Sequence, residues 1–313
     1  MLFPSDLENR LFIDIVNKNM NEVKGIVEAN PAIVNAIAND GWSILEIAIR
    51  HSSTEAAKFL IDKGANVNHA IHGGRTPLHI VATTGNVTIA KLLLEKGANI
   101  NAQTEAFGLT PLHYAITAKQ EEIAKFYIER GADINIKENV DGKSAIHFAA
   151  EKGFINTVKL LLKKGANINS KDDKGKTPIE YAYSGKRREM AVYLLSKGAE
   201  LPQYSRTKKR ATKFVVNSIQ EYKDMIPQKY SLRSIRAVSK KLNDESLIDK
   251  VTDIITEIEN KRIVPIFYKE KETEQEVTKE KPTTFLDLPQ VLQELVLEKA
   301  KLRGGKYKKP IKK

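Results

Sequence analysis

Over the first 200 positions, apolar residues fall into short clusters separated by polar turns, and the clusters come in pairs. In GRTPLHIVATTGNVTIAKLLLEKGANIN, residues 74–101, a short apolar run follows Thr-Pro. A turn intervenes, and a second run, IAKLLLEKGA, leads into Asn-Ile-Asn. The pattern predicts two helices per unit, repeated along the chain. The Gly-Ala pairs that begin at Gly64, Gly97, Gly131, Gly165 and Gly198 lie 33, 34, 34 and 33 residues apart. Thr76, Thr110 and Thr177 are N-cap candidates, and Pro77, Pro111 and Pro178 fall at the first helical position, where a missing N–H costs nothing. The five glycines are expected to end the second helices in the left-handed conformation. LFIDIVNKNMNEVKGIVEAN, residues 11–30, has the two-helix pattern without the Thr-Pro start, so six units are expected, the first acting as a polar cap.

After Pro202 the period stops. Val215, Ile219, Tyr222 and Ile226 share one helical face, Leu232, Ile235 and Val238 a second, and Leu247, Val251, Ile254, Ile255 and Ile258 a third. These define a helical region over 201–268, expected to pack on the end of the array or on itself. Residues 269–284, KEKETEQEVTKEKPTT, read as a charged flexible linker. Residues 285–300 follow as an amphipathic helix: Asp287 caps, Pro289 starts, and Leu288, Val291, Leu292, Leu295 and Val296 form a continuous apolar stripe. Residues 301–313 are a basic tail.

TPLHIVA at 76–82 returns as TPLHYAI at 110–116 and as SAIHFAA at 144–150, which places His79, His113 and His147 at intervals of 34. Ligands of one metal must converge on one point, whereas residues repeated along a solenoid lie in a row. The spacing therefore argues for framework histidines rather than a metal or catalytic set.

These repeated residues resemble the ankyrin repeat over residues 40–200. The resemblance implies an all-α repeat solenoid of helix-turn-helix units with β-hairpin loops, and motif histidines that hydrogen-bond backbone groups and tie adjacent loops. Several positions depart from the pattern. Glu46 and Glu180 replace the histidine, Ser144-Ala145 replaces Thr-Pro, and Lys119 stands where Gly85 and Gly153 allow a tight turn, so those loops are expected to be less well tied. The resemblance also places partner binding on a concave face of first helices and hairpin tips. Its N-terminal half holds Trp42, Arg50 and His51, then His72, Arg75, Thr83 and Thr84, then Phe107, Leu109, Thr117 and Ala118. The C-terminal half holds Val140, Lys143, Glu151 and Lys152, then Lys174, Lys176 and Ser184. The first half is aromatic and apolar, the second mostly charged. Trp42, the only tryptophan, either anchors a partner or packs on the first unit.

Composition changes the picture mainly through charge. Residues 1–200 hold 25 Lys+Arg against 23 Asp+Glu, and residues 201–313 hold 26 against 16, so most of the net +12 belongs to the last third. The runs SRTKKRATK at 205–213 and KAKLRGGKYKKPIKK at 299–313 are either solvated or meet an acidic partner, nucleic acid included. The absence of cysteine excludes disulfides, thiolate zinc sites and cysteine nucleophiles, and suits a reducing, cytoplasmic setting. The first twenty residues do not read as a secretory leader, and no apolar run reaches the length of a membrane span. Phosphate-cradling glycine loops, GxSxG and HExxH are missing, so neither an enzyme nor a cofactor or metal site is expected.

The leading expectation is a scaffold that binds a protein target, the alternative a nucleic-acid-associated protein using its basic end. The Leu-Pro start and apolar stripe at 285–300 resemble the beginning of an F-box, placed as in the pox-type ankyrin C-terminal domain. Those families recruit cullin-type ubiquitin ligases, which would make Leu288, Pro289, Leu292 and Leu295 adaptor contacts. The competing reading is an ordinary amphipathic helix docking on 211–261. The Lys- and Asn-rich layout also resembles ankyrin proteins that intracellular bacteria and large DNA viruses direct at their hosts.

Overall fold

The computed structural model describes residues 3–200, helical positions 214, 217 and 220, and helical residues 249–257. The chain divides into two compact units, Met1–Asn260 and Lys261–Lys313. The linker at 269–284, the stripe at 285–300 and both basic runs lie outside the described residues, as do most of the three helical faces assigned to 201–268.

Six helix pairs stack in chain order. They are α1 (Asp6–Val16) with α2 (Met20–Ala29), α3 (Ile44–Arg50) with α4 (Thr54–Asp62), and α5 (Pro77–Thr84) with α6 (Val87–Glu95). Then come α7 (Pro111–Thr117) with α8 (Glu121–Glu129), α9 (Ala145–Lys152) with α10 (Ile155–Lys163), and α11 (Pro178–Ser184) with α12 (Arg188–Ser196). A 3₁₀ turn, Pro31–Asn35, follows α2. First helices pack on first helices and second on second, so each pair meets both neighbours. Of the expected β-hairpin loops, only isolated antiparallel bridges are present among the described residues, Ile37 with Ser43 and Ile71 with Arg75.

Every first helix opens with the same device. Ser5, Ser43, Thr76, Thr110, Ser144 and Thr177 are N-caps, each in a reciprocal capping box with the residue three positions on. That third residue is Glu8, Glu46, His79, His113, His147 or Glu180. The first unit therefore carries its own helix start at Ser5, upstream of the pattern at 11–30. Ser5-Asp6-Leu7-Glu8 places Glu8 as N3 only if the cap is Ser5, a signal present in the sequence but masked by the missing Thr-Pro. Glu46 and Glu180 also close their own boxes. Ser43 N–H donates to Glu46 Oε2 at 2.9 Å, and Thr177 N–H to Glu180 Oε2 at 2.9 Å. Their helix starts are thus as firmly held as the histidine ones, which corrects the expectation of looser loops there.

Second helices end in a paired device. After α4, Gly64 N–H bonds Ile61 O and Ala65 N–H bonds Leu60 O, the two bonds of a Schellman motif, with Gly64 at φ +91°. Asn-x-Asn then links units. Asn66 N–H donates to Asn35 Oδ1, Asn99 N–H to Asn68 Oδ1, Asp133 N–H to Asn101 Oδ1 and Glu200 N–H to Asn169 Oδ1, all at 2.8–2.9 Å.

The last pair differs from the others. In α6, α8 and α10 one side is exposed, but Met190–Ser196 of α12 is buried throughout. Val251, Ile254 and Ile255 belong to the same buried cluster as the array, and the Phe214 ring stands edge-on to Tyr183 at 5.2 Å. The apolar spacing at 251, 254 and 255 is therefore a packed face. Residues beyond 200 help to cover the array's end, as the physics of an end repeat requires.

Between the two helices of each pair one residue is left-handed: Lys18, Ser52, Gly85, Lys119, Gly153 and Lys186, at φ between 54° and 84°. A side chain there is unfavourable by about 1 kcal/mol relative to glycine. Lys119 is exposed, so little is lost with its side chain. Lys119→Gly is expected to raise stability by about 0.5–1 kcal/mol and Lys119→Ala to leave it unchanged. Urea unfolding midpoints of the three proteins check this.

Candidate functional site

The three motif histidines lie in a row through the buried interior. Thr76 N–H donates to His79 Nδ1 at 3.1 Å, which fixes the Nε2–H tautomer, and Nε2–H donates to Leu109 O at 3.0 Å in the next unit. His147 repeats this, accepting from Ser144 N–H at 3.1 Å and donating to Ser170 O at 2.9 Å. His113 accepts from Thr110 N–H at 3.1 Å, but its buried Nε2 has no protein partner. The inter-unit bond implied by the family likeness thus holds for two of the three histidines. Each ring also meets the aromatic one unit on: Tyr114 for His79 at 5.1 Å, Phe148 for His113 at 5.2 Å and Tyr181 for His147 at 5.6 Å. Among the described residues no group of three His, Asp or Glu is placed to hold a metal.

The hairpin tips form a second row. Glu105 N–H bonds Gly73 O, Asn139 N–H bonds Phe107 O and Asp173 N–H bonds Asp141 O, at 2.8–3.0 Å. A Cβ at Gly41, Gly108 or Gly142 would lie within 3.2 Å of His72, Asn139 or Asp173 respectively, so the tip glycines exist for close approach of the next loop. His72 is exposed yet spends one ring edge on Gly41.

Of the residues assigned to the recognition face, the structure brings Trp42, Arg50, Arg75 and Thr83 together in one cleft of about 260 Å³, completed by Ile80, Tyr114 and the edge of His79. The Arg50 and Arg75 guanidinium carbons stand 4.8 Å and 5.9 Å from the Trp42 ring centroid, within cation–π range. Trp42 is half-buried and packs on the core, so it is anchored and partly offered to solvent at once. Tyr114 was not among the residues read from the sequence. Comparing the position after the motif histidine or glutamate (Ile80, Tyr114, Phe148, Tyr181) would have found it, because that position is aromatic in three successive units.

The other assigned residues are not gathered there. Phe107 is 54% exposed and Val140 62%, both at hairpin tips. Leu109 contributes its carbonyl to His79. Thr84 and Thr117 return their hydroxyls to Val81 O and His113 O within their own helices. In the charged half, Asp141 binds both Lys143 and Lys174, and these lysines hold its carboxyl below the usual carboxylate range. Lys174 and Lys176 backbone N–H groups donate to Asp172 Oδ1, whose Oδ2 accepts from Tyr181 Oη at 2.6 Å. Lys143 and Lys174 are thus already paired inside the chain, sharing Asp141. Glu151 gives its carbonyl to Arg187 Nε, and Lys152 is half-buried beside it.

Burial pushes His79 and His113 down to about 4, and His147 in the same direction. All three are neutral in the fold at pH 7. Between pH 6.5 and about 4 the unfolded chain binds more protons than the folded one, so stability is full above 6.5 and is lost as pH falls. Each of the first two contributes up to about 3 kcal/mol to that loss. Glu46, raised by its burial, acts in the opposite sense. The unfolding midpoint of the wild type is expected to fall from pH 7 to pH 5, and to fall less in His113→Leu. At pH 7, His79→Leu strands both Thr76 N–H and Leu109 O, whereas His113→Leu strands only the cap. The first substitution should therefore cost about 1–3 kcal/mol more than an isosteric core change, and more than the second. Denaturant melts of both variants across pH check slope and order together.

Family profiles for ankyrin repeats match residues 40–69, 68–138 and 112–204. No curated protein matches the chain. Among the described residues no helix is long and apolar enough to cross a membrane. Residues 40–204 are more than half of the 313, and the cap, histidine and glycine devices recur through them. The chain belongs to the ankyrin-repeat family, an interaction fold that binds protein partners.

Proposed function

We propose that this array is a scaffold whose target binds on the N-terminal half of the first-helix face. One observation carries the assignment: the aromatic groups there remain available, with Trp42 half-buried under Arg50 and Phe107 exposed, while Lys143 and Lys174 in the other half are already paired with Asp141. Anchored aromatics concentrate binding energy, and rim charges that are internally paired contribute little. A captured partner should lose about tenfold or more in affinity with Trp42→Ala and Phe107→Ala combined, with helical circular dichroism unchanged. A larger loss with Lys143→Ala and Lys174→Ala would move the site to the other half.

A second function rests on the sequence of 285–300. We propose that Leu288, Pro289, Leu292 and Leu295 dock on a cullin-type ubiquitin ligase adaptor, the linker at 269–284 supplying reach of roughly 20–24 Å as a flexible coil. Such coupling of a bound target to a ligase fits a host-directed effector. The basic runs at 205–213 and 299–313 support nucleic-acid association as the alternative, for which affinity would fall steeply with salt. Leu292→Asp with Leu295→Asp should abolish co-purification of the adaptor and leave target binding intact. A lowered melting temperature in that variant would assign the helix to the protein's own core instead.

A further inference from the structure

Several cations around the array are answered by carboxylates: Arg10 by Glu22, Lys96 by Asp62, Lys125 by Glu122, Lys137 by Asp173 and Lys174 by Asp141. Arg50 and Arg75 are different. They come from successive units, converge on Trp42, and among the described residues neither guanidinium has a carboxylate partner. No acidic side chain lines the cleft they share. Along the chain, Asp40 stands two residues before Trp42 but does not line the cleft, and Glu46 is fully buried and committed to Ser43 and His69.

What the cleft offers is therefore a set of donors with an apolar floor. Two guanidinium forks, held by the indole, face a space also bounded by the Tyr114 phenol and by the Thr83 side chain, with Ile80 beneath. Thr83 uses its hydrogen on Ile80 O, which leaves the arginines and Tyr114 as the outward donors. Stacking on Trp42 limits the freedom of each fork, so less order is lost when it pairs bidentately with a carboxylate. The volume, about 260 Å³, suits one or two side chains rather than a large cofactor.

We infer that this cleft receives an acidic side chain, Asp or Glu, next to an apolar residue on a peptide segment of the protein target, the carboxylate bridging Arg50 and Arg75 while the apolar neighbour packs on Trp42. The inference rests on the protein-binding reading above and specifies the chemistry of what is bound. Charge complementarity chooses the occupant: an apolar peptide would leave two guanidinium groups desolvated and unpaired, which is costly, and a basic one would be repelled.

The test uses the full chain and the Arg50→Gln, Arg75→Gln double variant, each immobilised and challenged with a random-peptide display library. Wild type is expected to select peptides enriched in Asp or Glu beside Leu, Ile or Phe, and the variant to lose that enrichment. A selected peptide, synthesised with Glu and with Gln at the enriched position, is then titrated while the fluorescence of Trp42, the chain's only tryptophan, is followed. The Glu form should bind at least about tenfold more tightly than the Gln form, with the advantage shrinking as salt is raised. An empty selection, peptides without acidic enrichment, or equal affinity of the two forms overturns the inference. So does a selection that succeeds only after residues 269–284 are deleted, because the occupant would then be a glutamate of the chain's own charged segment. The scaffold reading fails separately, if Trp42→Ala with Phe107→Ala leaves a captured partner's affinity untouched.

Discussion

Each unit depends on an N-terminal cap that is satisfied within its own first helix and that, through Glu46, His79 and His147, also reaches the next unit. The first turn of any helix leaves N–H groups without partners, and these helices have only seven to eleven residues, too short to form without help. A hydroxyl at the cap and an acceptor at the third position close the local account in all six. Histidine and glutamate serve equally well for that purpose. They differ in what remains: a neutral imidazole keeps an N–H and a flat ring for the following unit, whereas a carboxylate keeps only lone pairs.

That difference orders the array. Histidine occupies the third, fourth and fifth units, where another first helix follows and presents Tyr114, Phe148 or Tyr181 to the ring. Glutamate occupies the first and last units, and in the second unit Glu46 reaches the following loop by accepting from His69 at 2.9 Å. Burial that holds the imidazoles neutral is the same burial that makes their bonds worth having, so tying the units and sensitivity to acid are one property. With the caps and Schellman ends committed within each unit and the asparagine links between units, the remaining freedom of sequence lies on the outward part of the first-helix face.

Much of this was legible in the sequence because it is periodic. The helix pairs, Thr-Pro starts, terminal glycines and the structural role of the histidines follow from spacing and residue type alone. The unpartnered Nε2 of His113 was not legible, since it depends on where one carbonyl of the next loop falls. Nor was the equivalence of Glu46 and Glu180 to histidine, because the family pattern drew attention to the missing imidazole and away from the capping box. The face proposed for recognition was legible only as a stripe. Sequence placed Trp42, Arg50 and Arg75 on it, but the cleft appears only when two units stack and bring Tyr114 in from a third.

The contrast between the two halves of that face is then a matter of where neighbouring charges come from. Units are 33 or 34 residues apart, so a loop residue meets the residue one period on before it meets anything else. Asp141 is followed one period later by Lys174, and Lys143 stands beside them, so that stretch pairs its charges internally. Arg50 and Arg75 have no acid one period away on either side that reaches them, and the indole between them supplies a π-face instead of a charge. A repeat protein that pairs its charges with its own neighbours closes a surface; one that leaves two like charges over an aromatic keeps it open for another molecule.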